Sequence, residues 1–291
     1  MKTWVIPAKT FLLGEYAALA DKGAIVLTTE PCFKVTLTAT KGLDGIHPDS
    51  PAGRWWRKAG HEHCGLHWHD PFNHRGGMGA SSAQFLGAYF ASSYINGTTP
   101  TQAEMLDAYW QCAWQGQGQR PSGYDVIAQS LSGCVSINRS EHRCEIFPWS
   151  FNDLAFILVH TGHKLATHHH LQDITLTDDV EQLNAIVTQA KQAFRKSDSQ
   201  ALVNAVNAYH HALVSTNRVD HNTLYLLNQL SGLPGVLAMK GCGAMGTDVA
   251  VLITTSDCVD VIQSHLMAMQ LSVMATNGNV FMVDSAGATP D

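Results

Sequence analysis

The sequence predicts an α+β protein in which strands and helices occupy loosely separate stretches of the chain. Residues up to 38 are rich in strand-forming residues, with strand-like alternation from Lys34 to Thr38. Helical periodicity is strongest later, at about 178–196 and 199–216. Because the two kinds of element do not alternate strictly, an α+β fold is favoured over a doubly wound sheet.

The first part of the chain is expected to open with a sheet. Short strands are predicted on both sides of a Pro7-Ala8-Lys9 turn and again before residue 40: Trp4 to Ile6, Thr10 to Leu13, Ala24 to Thr29 and Phe33 to Thr38. Residues 41–77 have no clear period, so we expect an irregular excursion with room for one further strand.

Helices are expected after this excursion. One covers Ser81 to Tyr94, where small and apolar residues suit close packing on a sheet. The next covers Thr101 to Gln115, since Thr101 and Glu104 form a capping box. A short helix from Tyr124 to Gln129 and a strand from Gly133 to Ile137 complete this part.

The second part is predicted to begin with a strand from Phe156 to His160. The two periodic helices noted above follow it. The remaining predicted elements are strands at Gly235 to Lys240 and Asp248 to Thr254, a helix at Asp257 to Met269 and a last strand near Asn279 to Val283.

Composition excludes several classes of function. The chain has 291 residues and a formal charge of −6 without a block of Lys or Arg, so nucleic acid is not expected as a partner. Its seven cysteines are scattered and form no C-x-x-C pair, which favours a reducing cytoplasm over a disulfide framework or zinc ribbon. The N-terminal apolar run is too short for a signal or a membrane span, so no membrane partner is expected.

A glycine-rich turn is the first candidate for chemistry. It comprises Gly76, Gly77, Met78, Gly79, Ala80, Ser81 and Ser82, and it leads directly into a predicted helix. Backbone N–H groups at such a turn can surround an anion at the positive end of the helix. The same residue types also make ordinary helix caps, and no P-loop lysine follows.

Three distant segments together resemble the GHMP kinase family. Pro7 to Leu19 resembles its opening motif, the turn at Gly76 to Ala83 resembles Gly-Leu-Gly-Ser-Ser-Ala, and Lys240 to Asp248 resembles its closing glycine motif. The Gly-Glu-Tyr-Ala opening and the segments Ser122 to Asp125 and Thr161 to Thr167 are most similar to phosphomevalonate kinases.

The resemblance implies a two-domain fold and an ATP-dependent reaction. Residues 1–150 would form a ribosomal-S5-like domain that binds ATP, and residues 151–291 a ferredoxin-like domain. ATP, Mg²⁺ and a small alcohol of the mevalonate type, or its phosphate, would bind in the cleft between them. The reaction implied first is phosphorylation of phosphomevalonate to diphosphomevalonate in isoprenoid synthesis, by a monomer or homodimer.

The resemblance also implies roles for individual residues. Asp125 would be the catalytic aspartate, paired with Lys9, while the glycine-rich turn would bind the nucleotide and Ser81, or Ser82 after a one-residue slip, would contact the metal. A carboxylate beside Ser122-Gly123 can also merely cap a helix, and Lys9 can extend to solvent. The implied substrate contacts are Glu15, Tyr16, Ser122, Gly123, Lys164, Thr167, Gly243, Ala244, Gly246 and Asp248. Glu15 can instead form a salt bridge or face water.

Several positions depart from the family pattern. Ala80 replaces a serine, Met245 and Thr247 replace glycines, and Trp114 stands where mevalonate kinases carry a magnesium-binding glutamate. The alternatives are therefore mevalonate kinase, another GHMP small-molecule kinase, or a catalytically weakened relative that binds a ligand.

Other polar and aromatic residues are expected to be structural or exposed. Arg75, Arg120 and Lys240 are interpreted as solvated side chains. Trp55-Trp56 is expected to pack over the sheet rather than stack on adenine. Histidines cluster at 61–70 and 168–170 without standard zinc spacing, so surface positions are favoured over a metal site.

Overall fold

The computed structural model describes residues 1–61, 63–162 and 179–283. These residues form two sheets with eight α-helices, so the predicted α+β class is confirmed. None of the described helices combines the length and apolarity needed to cross a bilayer. All seven cysteines are free thiols.

The first sheet has six strands centred on one long strand. In chain order the strands are β1 (Thr3–Leu13), β2 (Ala24–Thr38), β3 (Gly42–Asp44), β4 (Gly65–His69), β5 (Cys134–Asn138) and β6 (Arg143–Phe147). The order is β3-β4-β2-β5-β6, and β1 pairs antiparallel with β2 along most of its length. Lys9 therefore lies opposite Thr28, in the middle of the sheet's longest pairing.

Four helices pack with the first sheet. They are α1 (Pro51–Lys58), α2 (Ala80–Ile95), α3 (Gln102–Ala113) and α4 (Tyr124–Gln129). The predicted capping box of Thr101 and Glu104 is present at the start of α3. Because α2 is lined by small residues, it approaches β2 closely: a Cβ on Gly87 would lie 2.3 Å from Cγ2 of Val35.

The second sheet has four antiparallel strands in the order β10-β7-β9-β8. Its strands are β7 (Leu154–His160), β8 (Val236–Cys242), β9 (Val249–Thr255) and β10 (Ser272–Thr276). The helices of this part are α5 (Val180–Lys196), α6 (Ser199–Ser215), α7 (His221–Leu230) and α8 (Val259–Ala268). Counted from β7, the strand order is 4-1-3-2, with helices between the first two and the last two strands, as in a ferredoxin-like unit.

The two sheets share packing and polar contacts. One contiguous cluster of buried apolar side chains includes Leu27 of β2 and Phe156 of β7. Helix α5 joins the first sheet through an ion pair of Arg195 with Glu145 at 2.7 Å. Near the C-terminus, Phe281 donates its N–H to the carbonyl of Thr28 at 2.9 Å, so the chain returns to the first sheet.

Several predicted elements were wrong in extent or position. Trp4 to Ile6 and Thr10 to Leu13 are one strand, β1, with a register shift between Ile6 and Ala8 that accommodates Pro7. The two strands predicted within Ala24–Thr38 are likewise continuous as β2. The last strand is Ser272–Thr276 rather than Asn279 to Val283, because Asn277–Asn279 forms a 3₁₀ turn. Helix α7 was not predicted.

Candidate active site

Lys9 and Asp125 form an ion pair at the centre of the candidate site. Nζ of Lys9 lies 2.9 Å from Oδ1 of Asp125, and their side chains are 11% and 33% exposed. Lys9 comes from β1, and Asp125 comes from the first turn of α4. A nearly buried lysine is stabilised by a carboxylate at this distance, so Lys9 takes the paired position and not the alternative of extending to solvent.

Backbone geometry at α4 accounts for the position of Asp125. Gly123 is the residue before the helix; it has φ +76° and lies so close to Leu106 that a Cβ would be 2.5 Å from the Cδ2 atom of that leucine. Ser122 accepts the N–H of Tyr124 on its Oγ at 3.3 Å. Ser122 and Gly123 therefore form the turn that directs Asp125 towards Lys9.

The predicted glycine turn lies directly against Lys9. The N–H of Lys9 donates to the carbonyl of Met78 at 3.0 Å. Gly79, with φ +83°, is the residue before α2, and a Cβ there would lie 2.7 Å from Cγ of Lys9. Only glycine fits this conformation and contact, which leaves the N-terminus of α2 beside the ion pair.

The two serines of this turn have different environments. Ser81 is exposed in the first turn of α2, whereas Ser82 is buried. The Ser82 hydroxyl lies 3.0 Å from the carbonyl of Gly79 and 2.5 Å from Oε1 of Gln129. Ser82 is therefore used within the protein framework, and Ser81 keeps its hydroxyl towards solvent.

The second glycine segment meets the first. Gly77, with φ +86°, is so close to β9 that a Cβ would lie 2.7 Å from Cβ of Asp248. Gly246 donates its N–H to the carbonyl of Gly243 at 3.0 Å, and Thr247 donates to the carbonyl of Ala244 at 3.1 Å. The glycine turn before α2 therefore contacts the chain directly after the second glycine turn.

Met245 occupies a left-handed conformation in this second turn, with φ +53°. A side chain in this region is less favourable than the glycine that the family motif carries. Its N–H donates to the hydroxyl of Tyr16 at 3.2 Å, which ties the turn to the opening segment. Met245 therefore still connects the second glycine turn to Tyr16, through its backbone N–H.

Glu15 and Lys240 form a second, fully enclosed ion pair. Burial raises the pKa of the Glu15 carboxyl, and the charge of Lys240 opposes that rise. Burial would lower the pKa of Lys240, but Cys242 and Glu15 raise it above its ordinary value. The expectation of a solvated Lys240 was wrong, since this side chain is 0% exposed. Glu15 as a substrate contact stays a prediction.

The other predicted basic residues differ in their surroundings. Arg120 stacks on Trp110, with Cζ 4.1 Å from the ring centroid, whereas Arg75 is exposed. Arg218 was not singled out, yet it lies 4.8 Å above the ring of Tyr16 and pairs with Asp179 at 2.6 Å. No local pattern identified it. Lys164 and Thr167 lie outside the described residues.

Trp55 and Trp56 each contact another ring within the first part of the chain. Trp55 packs against Tyr89 of α2, with ring centroids 5.1 Å apart, and Trp56 packs against His61 at 4.9 Å. Both rings pack inside the protein as expected, but against a helix residue and a histidine rather than over the sheet. Within residues 1–61, 63–162 and 179–283, no group of three or more His, Cys, Asp or Glu side chains could hold a metal ion. Residues 168–170 lie outside the described chain.

The site's donors and shape fit a magnesium nucleotide. Gly77 and Gly79 leave room where a Cβ would collide with neighbouring residues, and α2 directs its N-terminal amides at the same place. The exposed Ser81 hydroxyl and the partly exposed Asp125 carboxylate are oxygen ligands of the kind that Mg²⁺ prefers.

Several solved structures with this fold are named as kinases of small molecules. Phosphomevalonate kinase of Streptococcus pneumoniae in complex with phosphomevalonate and AMPPNP matches with a TM-score of 0.78 and 12% identity, over 95% of this chain and 99% of that one. Leishmania major mevalonate kinase with R-mevalonate gives 0.72 and 19%, covering 98% and 97%. Lactococcus lactis galactokinase with galactose gives 0.72 and 11%, covering 97% and 94%. No protein-family model and no curated protein matches the sequence.

Proposed function

We propose that this chain, which has the fold of the GHMP kinases, is an ATP-dependent kinase of a small-molecule alcohol. The observation that carries the proposal is the Lys9–Asp125 ion pair, 2.9 Å across, beside the glycine turn of α2. Phosphoryl transfer depends mainly on positioning the two reactants and on neutralising the charge of the phosphates. In the proposed site the glycine turn would position the phosphates, and the Lys9 ammonium would neutralise charge.

Each charged residue has a part in the proposed reaction. With an alcohol acceptor, Asp125 accepts the proton of the hydroxyl whose oxygen attacks the terminal phosphorus. With a phosphorylated acceptor, an ionised phosphate oxygen attacks instead, and Asp125 acts by orienting Lys9. In both cases ADP leaves with the former bridging oxygen. The Lys9 ammonium orients the Asp125 carboxylate and stabilises negative charge on the phosphoryl group in transit. The amides of the glycine turn hold the nucleotide's phosphates.

Magnesium completes the proposed site. Ser81 is the residue that would hold it, and the ion would neutralise phosphate charge. Ser81 is favoured over Ser82 because the Ser82 hydroxyl already contacts Gly79 and Gln129.

We propose phosphomevalonate as the acceptor, with diphosphomevalonate as the product. Support comes from the opening and closing sequence motifs and from the fold similarity to a phosphomevalonate kinase. The second glycine turn, including Gly243, Ala244, Gly246 and Asp248, together with Tyr16 would contact this substrate. Trp114 in place of a metal-binding glutamate disfavours mevalonate itself.

An ADP-release assay with mevalonate, phosphomevalonate, homoserine and galactose tests the proposal. We expect the highest kcat/KM with phosphomevalonate and dependence on Mg²⁺. Faster turnover of one of the other three compounds would identify that compound as the acceptor. Absence of ADP formation with all four would favour a ligand-binding relative. The free cysteines agree with a cytoplasmic site of action, and the same preparation decides by light scattering between a monomer and a homodimer.

A further inference from the structure

Gln129 lies beneath the candidate site and is not itself part of it. The side chain belongs to α4, four residues after Asp125, and the residue is 3% exposed. Its Nε2 atom donates to the carbonyl of Pro7 at 2.7 Å and to the carbonyl of Gly79 at 3.2 Å. Its Oε1 atom accepts the hydroxyl of Ser82 at 2.5 Å.

These partners belong to the other two elements that build the site. Pro7 lies in β1, two residues before Lys9. Gly79 belongs to the glycine turn, and Ser82 belongs to the first turn of α2. Since Gln129 and Asp125 are four residues apart on one helix, they lie on the same face. One buried amide therefore connects the lysine, the aspartate and the turn.

A neutral amide is required by this set of partners. The carbonyl of Pro7 accepts a hydrogen bond from this amide, and the carbonyl of Gly79 accepts one from it in addition to the N–H of Ala83 at 3.0 Å. The Ser82 hydroxyl needs an acceptor, so a side chain with both functions serves all three partners. A carboxylate would face the carbonyls of Pro7 and Gly79 without a proton to share. An apolar side chain of the same length would leave both carbonyls without this donor.

We infer that Gln129 is a positioning residue for phosphoryl transfer, which sets the distance of Lys9 and Asp125 from the glycine turn. The inference rests on the proposed kinase function. A displacement of about 1 Å in such a site costs on the order of 100-fold in rate, even when the altered residue does not touch the substrate.

Two buried serines on α2 provide a matched comparison. Ser82 is 3% exposed and contacts Gln129, whereas Ser92 is 2% exposed and contacts Nε2 of His61 at 2.9 Å. Ser82→Ala and Ser92→Ala each remove one buried hydroxyl group, so Ser92→Ala serves as the control for lost stability. Only Ser82→Ala is expected to lower kcat, by about 5-fold to 10-fold, and Gln129→Met by about 30-fold to 100-fold.

A second measurement does not depend on turnover. Lys9 is held by Asp125 and is 11% exposed, so acetic anhydride should acetylate its amine slowly in the wild-type protein. Gln129→Met is expected to accelerate modification of Lys9 at least about 3-fold relative to Lys41, whereas Ser92→Ala leaves the ratio unchanged. Mass spectrometry of peptides gives both rates.

The outcomes separate the two proposals. If the wild-type protein turns over and Gln129→Met keeps its kcat after correction for the folded fraction, the positioning role is wrong and the kinase function stands. If neither the wild-type protein nor any variant forms ADP, the proposed kinase function is wrong, and the positioning role in catalysis is wrong with it. Faster Lys9 acetylation would then show that Gln129 holds the lysine in place for another purpose.

Discussion

Glu15 and Lys240 are 225 positions apart in the sequence and form an ion pair enclosed by the protein, with side chains 6% and 0% exposed. Glu15 lies two residues after the end of β1 at Leu13, and Lys240 lies in β8 of the second sheet. The pair therefore joins the two sheets close to both glycine turns.

Removing one charge of this pair should be more harmful than removing both. Lys240→Met is expected to lower the free energy of unfolding by about 3–5 kcal/mol, because it leaves the Glu15 carboxylate buried without a cation. The double variant Glu15→Leu with Lys240→Met should recover much of that loss. Urea unfolding of the three proteins measures the difference.

An exposed pair serves as the control for that experiment. Arg143 and Glu141 are 3.3 Å apart, with side chains 64% and 46% exposed. Arg143→Met should cost less than about 1 kcal/mol. A Lys240→Met protein as stable as Arg143→Met would contradict the importance of the buried pair.

The charges of the candidate site should matter for turnover more than for nucleotide affinity. Asp125→Ala is expected to reduce kcat at least about 100-fold while changing ATP affinity little, because the carboxylate acts mainly in the transition state. Lys9→Met should also reduce kcat. Steady-state kinetics and equilibrium titration with ATP provide the two readouts, and unchanged turnover in either variant would remove that residue from its role.

Substitutions at two glycines with left-handed backbones distinguish the effect of backbone strain from the effect of a steric clash with Lys9. Gly79→Ala forces a Cβ to within 2.7 Å of Lys9, whereas Gly97 has φ +64° and nothing within 4 Å of the added atom. Both substitutions should cost about 1–2 kcal/mol through backbone strain. Only Gly79→Ala should abolish measurable phosphate transfer; loss of activity in Gly97→Ala would mean that strain alone is responsible.

Stability should fall in mild acid because of His210. Burial lowers the pKa of this imidazole to about 4, with the charge of Lys240 adding to the effect. Between pH 6.5 and about 4 the unfolded chain binds the proton and the folded chain does not, so stability present above pH 6.5 is lost as the pH falls. The conversion of about 1.4 kcal/mol per pH unit sets an upper limit of about 3 kcal/mol, and partial exposure of the side chain reduces the expected loss to about 1–2 kcal/mol.

Thermal unfolding from pH 4 to 7 tests this assignment. His210→Gln should flatten the pH dependence of Tm across that window, while His221→Gln, which changes an exposed histidine, should not. An unchanged slope in His210→Gln would assign the acid sensitivity to other groups.

The candidate site was largely visible in the sequence because its glycines and caps are local signals. A left-handed backbone at Gly79 favours glycine, and a capping box needs Thr101 and Glu104 three residues apart. Both signals lie within a few residues of sequence. Asp125 and Lys9 were paired by family resemblance, and their 2.9 Å contact agrees with that prediction.

Features that depend on tertiary pairing were missed. Pro7 suggested a turn, but β1 pairs on the described chain only with β2, so an irregular register there tolerates a residue without an N–H. Lys240 was assigned to solvent because lysines are rarely buried, and its partner Glu15 is too distant in sequence to suggest otherwise. The sequence offers one indication for Gln129, which is that it lies four residues after Asp125 and so on the same face of a helix.

The return of the C-terminal segment to the first sheet makes the two halves of the chain interdependent. The N–H of Gly133 donates to the carbonyl of Phe281 at 2.6 Å, and Phe281 donates in turn to Thr28. A fragment ending at residue 150 would leave these backbone groups to water. The halves produced as separate polypeptides should therefore gain cooperative unfolding only after they are mixed, by complementation rather than by autonomous folding.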